Sequence, residues 1–215
     1  MKKQIIGFGG QKESGKSTAA LVLKKKYGFA EVSFAAPLKK VCAAAMGMTY
    51  ATFDAPDKKD VPFEKPIRLG TLLLNSLFEY LRLYGPISET QTEYMLCKGM
   101  NKVVSTPREL LQYVGTDLIR QCVDSNFWCR AFEKELKGHD KFVIPDLRFE
   151  NERDCVKSLG GTLVLIKRPN AAPSAHVSEN SLGEDSEYDH VITNHSNIDD
   201  LHTSVEQCYN SLVSS

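Results

Sequence analysis

Eight consecutive residues set the tightest limit on what this chain can fold into: Gly10-Gln11-Lys12-Glu13-Ser14-Gly15-Lys16-Ser17 matches G-x-x-x-x-G-K-[ST] at every fixed position. A chance match in 215 residues is on the order of 1% at ordinary residue frequencies. Such a loop needs a strand before it and a helix after it, and both are legible. Gln4-Ile5-Ile6-Gly7-Phe8 is a short apolar run that reads as a buried strand. Ser14 to Lys26 reads as a helix, with Ala20, Leu23 and Tyr27 at helical spacing and Lys24-Lys25-Lys26 as a solvated end. Glycines let backbone N–H groups approach an anion with no Cβ in the way. The helix N-terminus adds the positive end of its dipole. Lys16 can then reach β- and γ-phosphates, and the Ser17 hydroxyl can ligate Mg²⁺. The competing reading is a glycine-rich turn with an incidental lysine, which leaves the flanking strand and helix unexplained. The motif points to a nucleoside triphosphate and leaves open hydrolysis coupled to motion, switching, or phosphoryl transfer.

Composition narrows the remaining classes. Lys and Arg total 27, Asp and Glu total 27, and the formal net charge is zero. A protein that coats nucleic acid would need net positive charge. No run of about 18 apolar residues suggests a membrane span, and the N-terminal apolar run is too short for a signal peptide. The six cysteines form no C-x-x-C pair. Neither a disulfide framework nor a zinc site is expected, and the setting expected is cytoplasmic. The length suits a single domain over residues 1–215.

Further elements follow along the chain. Glu31 to Phe34 reads as a strand, and Pro37 opens a helix to about Met46 that Gly47 stops. Residues 52–66 read as a proline-punctuated loop. Two apolar helices follow, at about 67–83 and 88–98. Thr106 caps a helix with Pro107 at its first position. Another helix spans Ser125 to Leu136, and Phe142-Val143-Ile144 is a strand ending in Pro145-Asp146. A helix from Glu150 to Leu159, a strand from Thr162 to Ile166, a loop over 169–188, a strand at Val191-Ile192 and a helix from Asp199 to Leu212 complete the chain. Strands alternating with helices predict an α/β three-layer fold with a mainly parallel sheet.

A small chain with this loop and scattered arginines suits a kinase of small molecules, which must neutralise two polyanions in the transition state. No N-K-x-D-like base-reading run suggests a GTPase. Arg108, Gln112 and Asp117 lie roughly one helical turn apart. Arg108 could clamp a monophosphate and Gln112 could read a base edge. A solvated helix face with i, i+4 pairing fits the same spacing equally well. Asp146, at a strand tip, is the candidate Mg²⁺ residue, and Arg148 the candidate phosphate contact. Asp146 as a helix N-cap is the plainer role and is compatible with the first. Arg168 begins the long loop and suits a lid that closes over ATP. His176, Ser178 and Glu179 in that loop read as polar surface.

The segments G-Q-K-E-S-G-K-S-T at 10–18, S-F-A-A-P-L-K at 33–39, T-P-R-E-L-L-Q-Y-V-G-T-D at 106–117, N-F-W at 126–128, I-P-D-L-R-F-E-N-E at 144–152 and H-V-S-E at 176–179 occur in this order. Together they resemble the bacteriophage deoxynucleoside monophosphate kinase family, within the P-loop nucleoside monophosphate kinase-like proteins. The resemblance implies Mg²⁺-dependent transfer of the γ-phosphoryl group of ATP to a dNMP, giving ADP and dNDP. It implies ATP binding at Glu13, Ser14, Gly15, Lys16, Ser17 and Thr18. It implies dNMP binding at Lys12, Ala36, Pro37, Arg108, Gln112, Thr116, Asp117, Trp128, Asp146, Arg148 and Glu152. Lys16, Arg108, Arg148 and Arg168 would be catalytic, and Ser17 and Asp146 would face the metal. Residues of about 50–135 would form a helical acceptor-binding region and about 168–188 a lid. A homodimer in the cytoplasm of an infected bacterial host is implied, with no nucleic-acid or membrane partner. The apolar stretch at about 67–100, with Arg68 at its start, departs from the family pattern. Two rivals stand beside this reading: a P-loop kinase of another small molecule, such as a nucleoside or coenzyme precursor, and a non-enzymatic ATP-dependent switch.

Overall fold

A computed structural model describes residues 3–169, 183–195 and 197–214. In chain order its elements are β1 (Gln4–Gly9), α1 (Lys16–Tyr27), β2 (Ala30–Glu31), α2 (Ala36–Met46), α3 (Tyr50–Asp54) and β3 (Ile67–Arg68). Then come α4 (Thr71–Arg82), α5 (Glu89–Gly99), β4 (Val103–Val104), α6 (Pro107–Gln112), a π-helical segment (Tyr113–Arg120) and α7 (Phe127–Glu133). The last are β5 (Lys141–Leu147), α8 (Glu150–Ser158), β6 (Thr162–Lys167), a 3-10 turn (Asp185–Glu187), β7 (His190–Thr193) and α9 (Ile198–Ser214). The chain divides into two compact units, one of Met1–Phe34 with Glu135–Ser215, the other of Ala35–Lys134.

The first unit is built on a five-stranded sheet in the order β2-β5-β1-β6-β7, every pair parallel. Parallel neighbours need crossover connections, and the intervening helices supply them. The pleat sends alternate side chains to opposite faces. Ile6, Phe8, Val143, Val164, Ile166 and Ile192 share one face and pack on α1 and α9. Ile5 turns the other way, toward Val156 of α8, where both side chains border Gly161. Helices thus cover both faces, which is why these strands read as unbroken apolar runs. The predicted three-layer α/β arrangement is present, with one shift. The strand expected at Glu31 to Phe34 is Ala30–Glu31, because Ser33 and Phe34 bond to the tip of β5 instead of continuing the ladder.

The second unit holds α2 to α7 around its own core, which includes Phe53, Leu74, Phe78, Met95, Leu118 and Trp128. Three expectations are corrected here. The loop predicted at 52–66 begins inside α3, whose Phe53 is fully buried. One buried aromatic among polar residues leaves no periodicity to read. The helix expected from 67 starts at Thr71, since Ile67 and Arg68 pair antiparallel with Val104 and Val103. Leu69 extends that ribbon, donating to Lys102 O at 2.8 Å and accepting from Asn101 N at 3.0 Å. Arg68 is an exposed ribbon residue reaching Asn101 Oδ1 at 3.5 Å. The helix opened by Thr106 changes at Tyr113 from α to π spacing. Among the described residues no helix is long and apolar enough to cross a membrane.

All six cysteines are free thiols. Cys42 is fully buried, and burial pushes its thiol well above the ordinary value. Cys97 is exposed. Alkylation of the native protein at neutral pH should therefore label Cys97 within minutes and spare Cys42 until denaturant is added, as peptide mass mapping would report.

Candidate functional site

The glycine loop leaves the C-terminal end of β1, the central strand, flanked by β5 and β6. Gly10 has φ +147°, and a Cβ there would lie 2.4 Å from Ile166 O and 2.6 Å from Ser14 Oγ. Gly15 has φ +108°, in the left-handed region, and caps α1. Both positions require glycine on conformation and on space. The first turn of α1 carries no acidic residue, so nothing offsets its positive dipole end. Lys16 Nζ lies 2.6 Å from both Gly10 O and Gln11 O, across the loop. Ser14 is buried, and its Oγ has no hydrogen-bond partner among the described residues.

A cavity of about 440 Å³ opens on this loop, lined by Glu13, Gly15, Lys16, Ser17, Thr18 and Arg168, with Asn194, Asn197, Ile198 and Leu201 from the β7–α9 side. Arg168, just past the end of β6, reaches it by donating from Nη1 to Glu13 O at 2.9 Å. The residues expected to bind ATP are thus gathered with Arg168 around one space, Ser14 lying beneath it. Lys12 is exposed and lies 4.0 Å from Glu13, outside the cavity lining. His176, Ser178, Glu179 and most of the expected lid lie outside the described residues.

Asp146 arrives beside the loop through the sheet. Between Gly7↔Ile144 and Gly9↔Leu147 the register slips by one residue. The slip spans Pro145, which has no N–H for the ladder. The bulge turns Asp146 toward the loop after β2: Oδ2 accepts from Ser33 Oγ at 2.6 Å and Oδ1 from Phe34 N at 3.1 Å. Glu152 is 3% exposed, and its Oε2 accepts from Arg148 N at 2.9 Å and Phe149 N at 3.2 Å. It acts as the capping carboxylate at the start of α8. The helix N-cap expected of Asp146 falls to Phe149, with Glu152 supplying the carboxylate.

The other candidates lie in the second unit. Thr106 Oγ1 accepts from Glu109 N at 3.1 Å and Pro107 takes the first helical position, as the sequence predicts. Arg108 grips Asp60 with two bonds, Nε to Oδ1 at 2.5 Å and Nη2 to Oδ2 at 2.9 Å. Gln112 ends α6, and the i→i+5 spacing that follows sets Asp117 above it. Side chains also bond two carbonyls of this segment. Trp128 Nε1 donates to Gly115 O at 2.9 Å, while Lys98 Nζ donates to Asp117 O at 2.9 Å. Trp128 is 2% exposed, so its indole braces the segment from beneath. Leu38 packs on Gly115, which sets the first turn of α2, with Ala36 and Pro37, beside Thr116. Burial, then the charge of Asp117, holds the Tyr113 phenol above its ordinary value. It remains a donor, to Lys98 O at 2.9 Å.

Three contributors escaped the sequence: Asn194, Asp60 and Lys98. Asp60 is 48 residues from Arg108 in a loop of alternating charges, and Lys98 is one lysine at the end of a helix. No spacing singles out either one.

A sequence profile of the deoxynucleotide monophosphate kinase family matches residues 84–205. A chain of Acanthamoeba polyphaga mimivirus named for the same family is 32% identical over 219 residues, spanning 95% of each chain. The deoxynucleotide monophosphate kinase of Enterobacteria phage T4 is 25% identical over 235 residues, spanning 94% of this chain and 97% of its own. That of Escherichia phage RB69 is 25% identical over 243 residues, spanning 95% and 98%. With the glycine loop and the 106–117 segment in place, these matches show that the chain belongs to the deoxynucleotide monophosphate kinase family.

Proposed function

We propose that this protein transfers the γ-phosphoryl group of ATP to a deoxynucleoside monophosphate, giving ADP and dNDP, in the cytoplasm of an infected host. The observation that carries this reading is the loop from Gly10 to Lys16, a backbone cradle at the N-terminus of a helix with no acidic residue in its first turn. Family membership supports the choice of a deoxynucleotide as acceptor.

Catalysis of this kind is positioning and charge neutralisation, without a covalent enzyme intermediate. The loop N–H groups and Lys16 hold the β- and γ-phosphoryl oxygens, and Arg168 and Arg148 offset charge around them. The Ser17 hydroxyl lines the cavity and makes no side-chain hydrogen bond to another described residue. Asp146 is a carboxylate oriented by Ser33 Oγ and Phe34 N, and a hydroxyl and a carboxylate are both hard oxygen donors. Both side chains therefore fit Mg²⁺, which when bound would neutralise developing phosphoryl charge. On the acceptor side, Asp60 occupies the fork of Arg108 as a two-oxygen anion. A phosphate monoester offers the same edge with more charge, so Arg108 exchanges Asp60 for the dNMP phosphate. Gln112, Thr116 and Asp117 read the base and sugar. Ala36 and Pro37 complete the acceptor contacts, Trp128 holds the π-helical segment from beneath, and Lys12 is a further cation for the acceptor phosphate.

The test is ADP formation from ATP and Mg²⁺ with each dNMP, and with nucleosides and coenzyme precursors as competing acceptors. Stimulation by at least one dNMP, and by neither of the other classes, is expected. Lys16→Ala should lower kcat by roughly 100-fold or more. Full activity in that variant, or no stimulation by any dNMP, refutes the reading. Arg108→Lys keeps the charge and loses the fork. It should raise KM for dNMP by about 10-fold or more, leaving KM for ATP within about twofold.

A further inference from the structure

The peptide between Ser14 and Gly15 is held from outside the loop. Asn194, just past the end of β7, is 7% exposed. Its Nδ2 donates to Ser14 O at 2.8 Å in a buried bond. Its own backbone N–H donates to Lys167 O at 2.7 Å, which ties it to the end of β6. A Cβ on Gly15 would lie 2.8 Å from Asn194 Nδ2 and 2.8 Å from Leu201 Cδ2. Asn194 therefore walls one side of the loop and grips its carbonyl.

The consequence follows from peptide geometry. In a planar trans peptide the carbonyl and the following N–H point in opposite directions. A Ser14 carbonyl held toward Asn194 turns the Gly15 N–H away from Asn194. Glycine tolerates many φ values, so a loop peptide next to Gly15 can reverse at little steric cost. Reversal would present a carbonyl oxygen where an anion needs an N–H. The buried amide bond from Asn194 opposes that reversal, and leaving the Ser14 carbonyl unpaired would carry a desolvation cost. No glycine inside the motif can supply this control.

We propose that Asn194 is a positioning residue for the phosphoryl donor: it fixes the direction of the Ser14–Gly15 peptide, so that the Gly15 N–H faces the phosphates of ATP. This rests on reading the loop as the ATP phosphate site, and is independent of which acceptor is used. Asn194 acts through the loop backbone and touches no reacting atom.

Two variants test it in the full chain, Asn194→Asp and Asn194→Ala. The aspartate is nearly isosteric and sets a carboxylate oxygen against the Ser14 carbonyl, which favours the reversed peptide. The alanine removes the bond without repulsion. ATP affinity is measured by calorimetry without acceptor, KM is measured separately for ATP and dNMP, and thermal melting reports folding. Asn194→Asp should weaken ATP binding about 10-fold or more, and Asn194→Ala by less. KM for ATP should rise in the same order, with KM for dNMP within about twofold of wild type. Unchanged ATP affinity with a lowered melting temperature in either folded variant makes Asn194 merely structural and overturns the proposal. An equal rise in both KM values overturns it as well. A wild-type chain that binds ATP but phosphorylates no dNMP sinks the acceptor reading and leaves this test intact. One that binds no ATP sinks both.

Discussion

The close approach of Gly10 to the Ile166 carbonyl, 2.4 Å from where a Cβ would stand, is the constraint on which the first unit depends. It allows the chain to turn sharply off the central strand and deliver its next backbone groups to the start of α1. Everything that serves the loop is held by neighbours of that strand. β5 on one side carries Asp146, and β6 on the other ends before Arg168. β7, one place further out, brings Asn194 to the Ser14 carbonyl. A parallel sheet places all these strand ends along one edge, and open α/β sheets bind ligands there. The chemistry is gathered by strand order rather than by proximity in sequence.

The second unit solves a different problem with its own core. It must present polar residues from a helix that also carries Leu110, Val114, Leu118 and Ile119, all fully buried. The π-helical turn does this by inserting one residue's worth of rotation between Gln112 and Asp117. Carbonyls in the interior need hydrogen-bond partners. Trp128 and Lys98 bond two carbonyls of this segment. The buried tryptophan of the N-F-W segment thus has a structural reason that does not require contact with a ligand.

Much of this was legible because the strongest local signals coincided with the tertiary solution. The glycine loop, the Thr106-Pro107 start of α6 and the alternation of strand and helix each carry their physics in adjacent residues. What was not legible depended on partners far along the chain. The ribbon of Ile67–Arg68 with Val103–Val104 joins residues that look helical or featureless alone. The pairing of Arg108 with Asp60 and that of Asn194 with Ser14 span 48 and 180 residues. Glu152 supplies the carboxylate that caps α8, a role set by its position three residues after Phe149. The change to π spacing leaves no mark in a pattern of apolar residues that fits an α-helix nearly as well.

The central claim is that the γ-phosphoryl group of ATP held at the loop passes directly to a deoxynucleotide. It is tested most directly by following label from γ-phosphate-labelled ATP in a single turnover with excess enzyme and one dNMP. The account predicts that the label appears in the β-position of dNDP as it leaves ATP, with no lag and no labelled protein. Label released as inorganic phosphate, or retained on the enzyme, would contradict it.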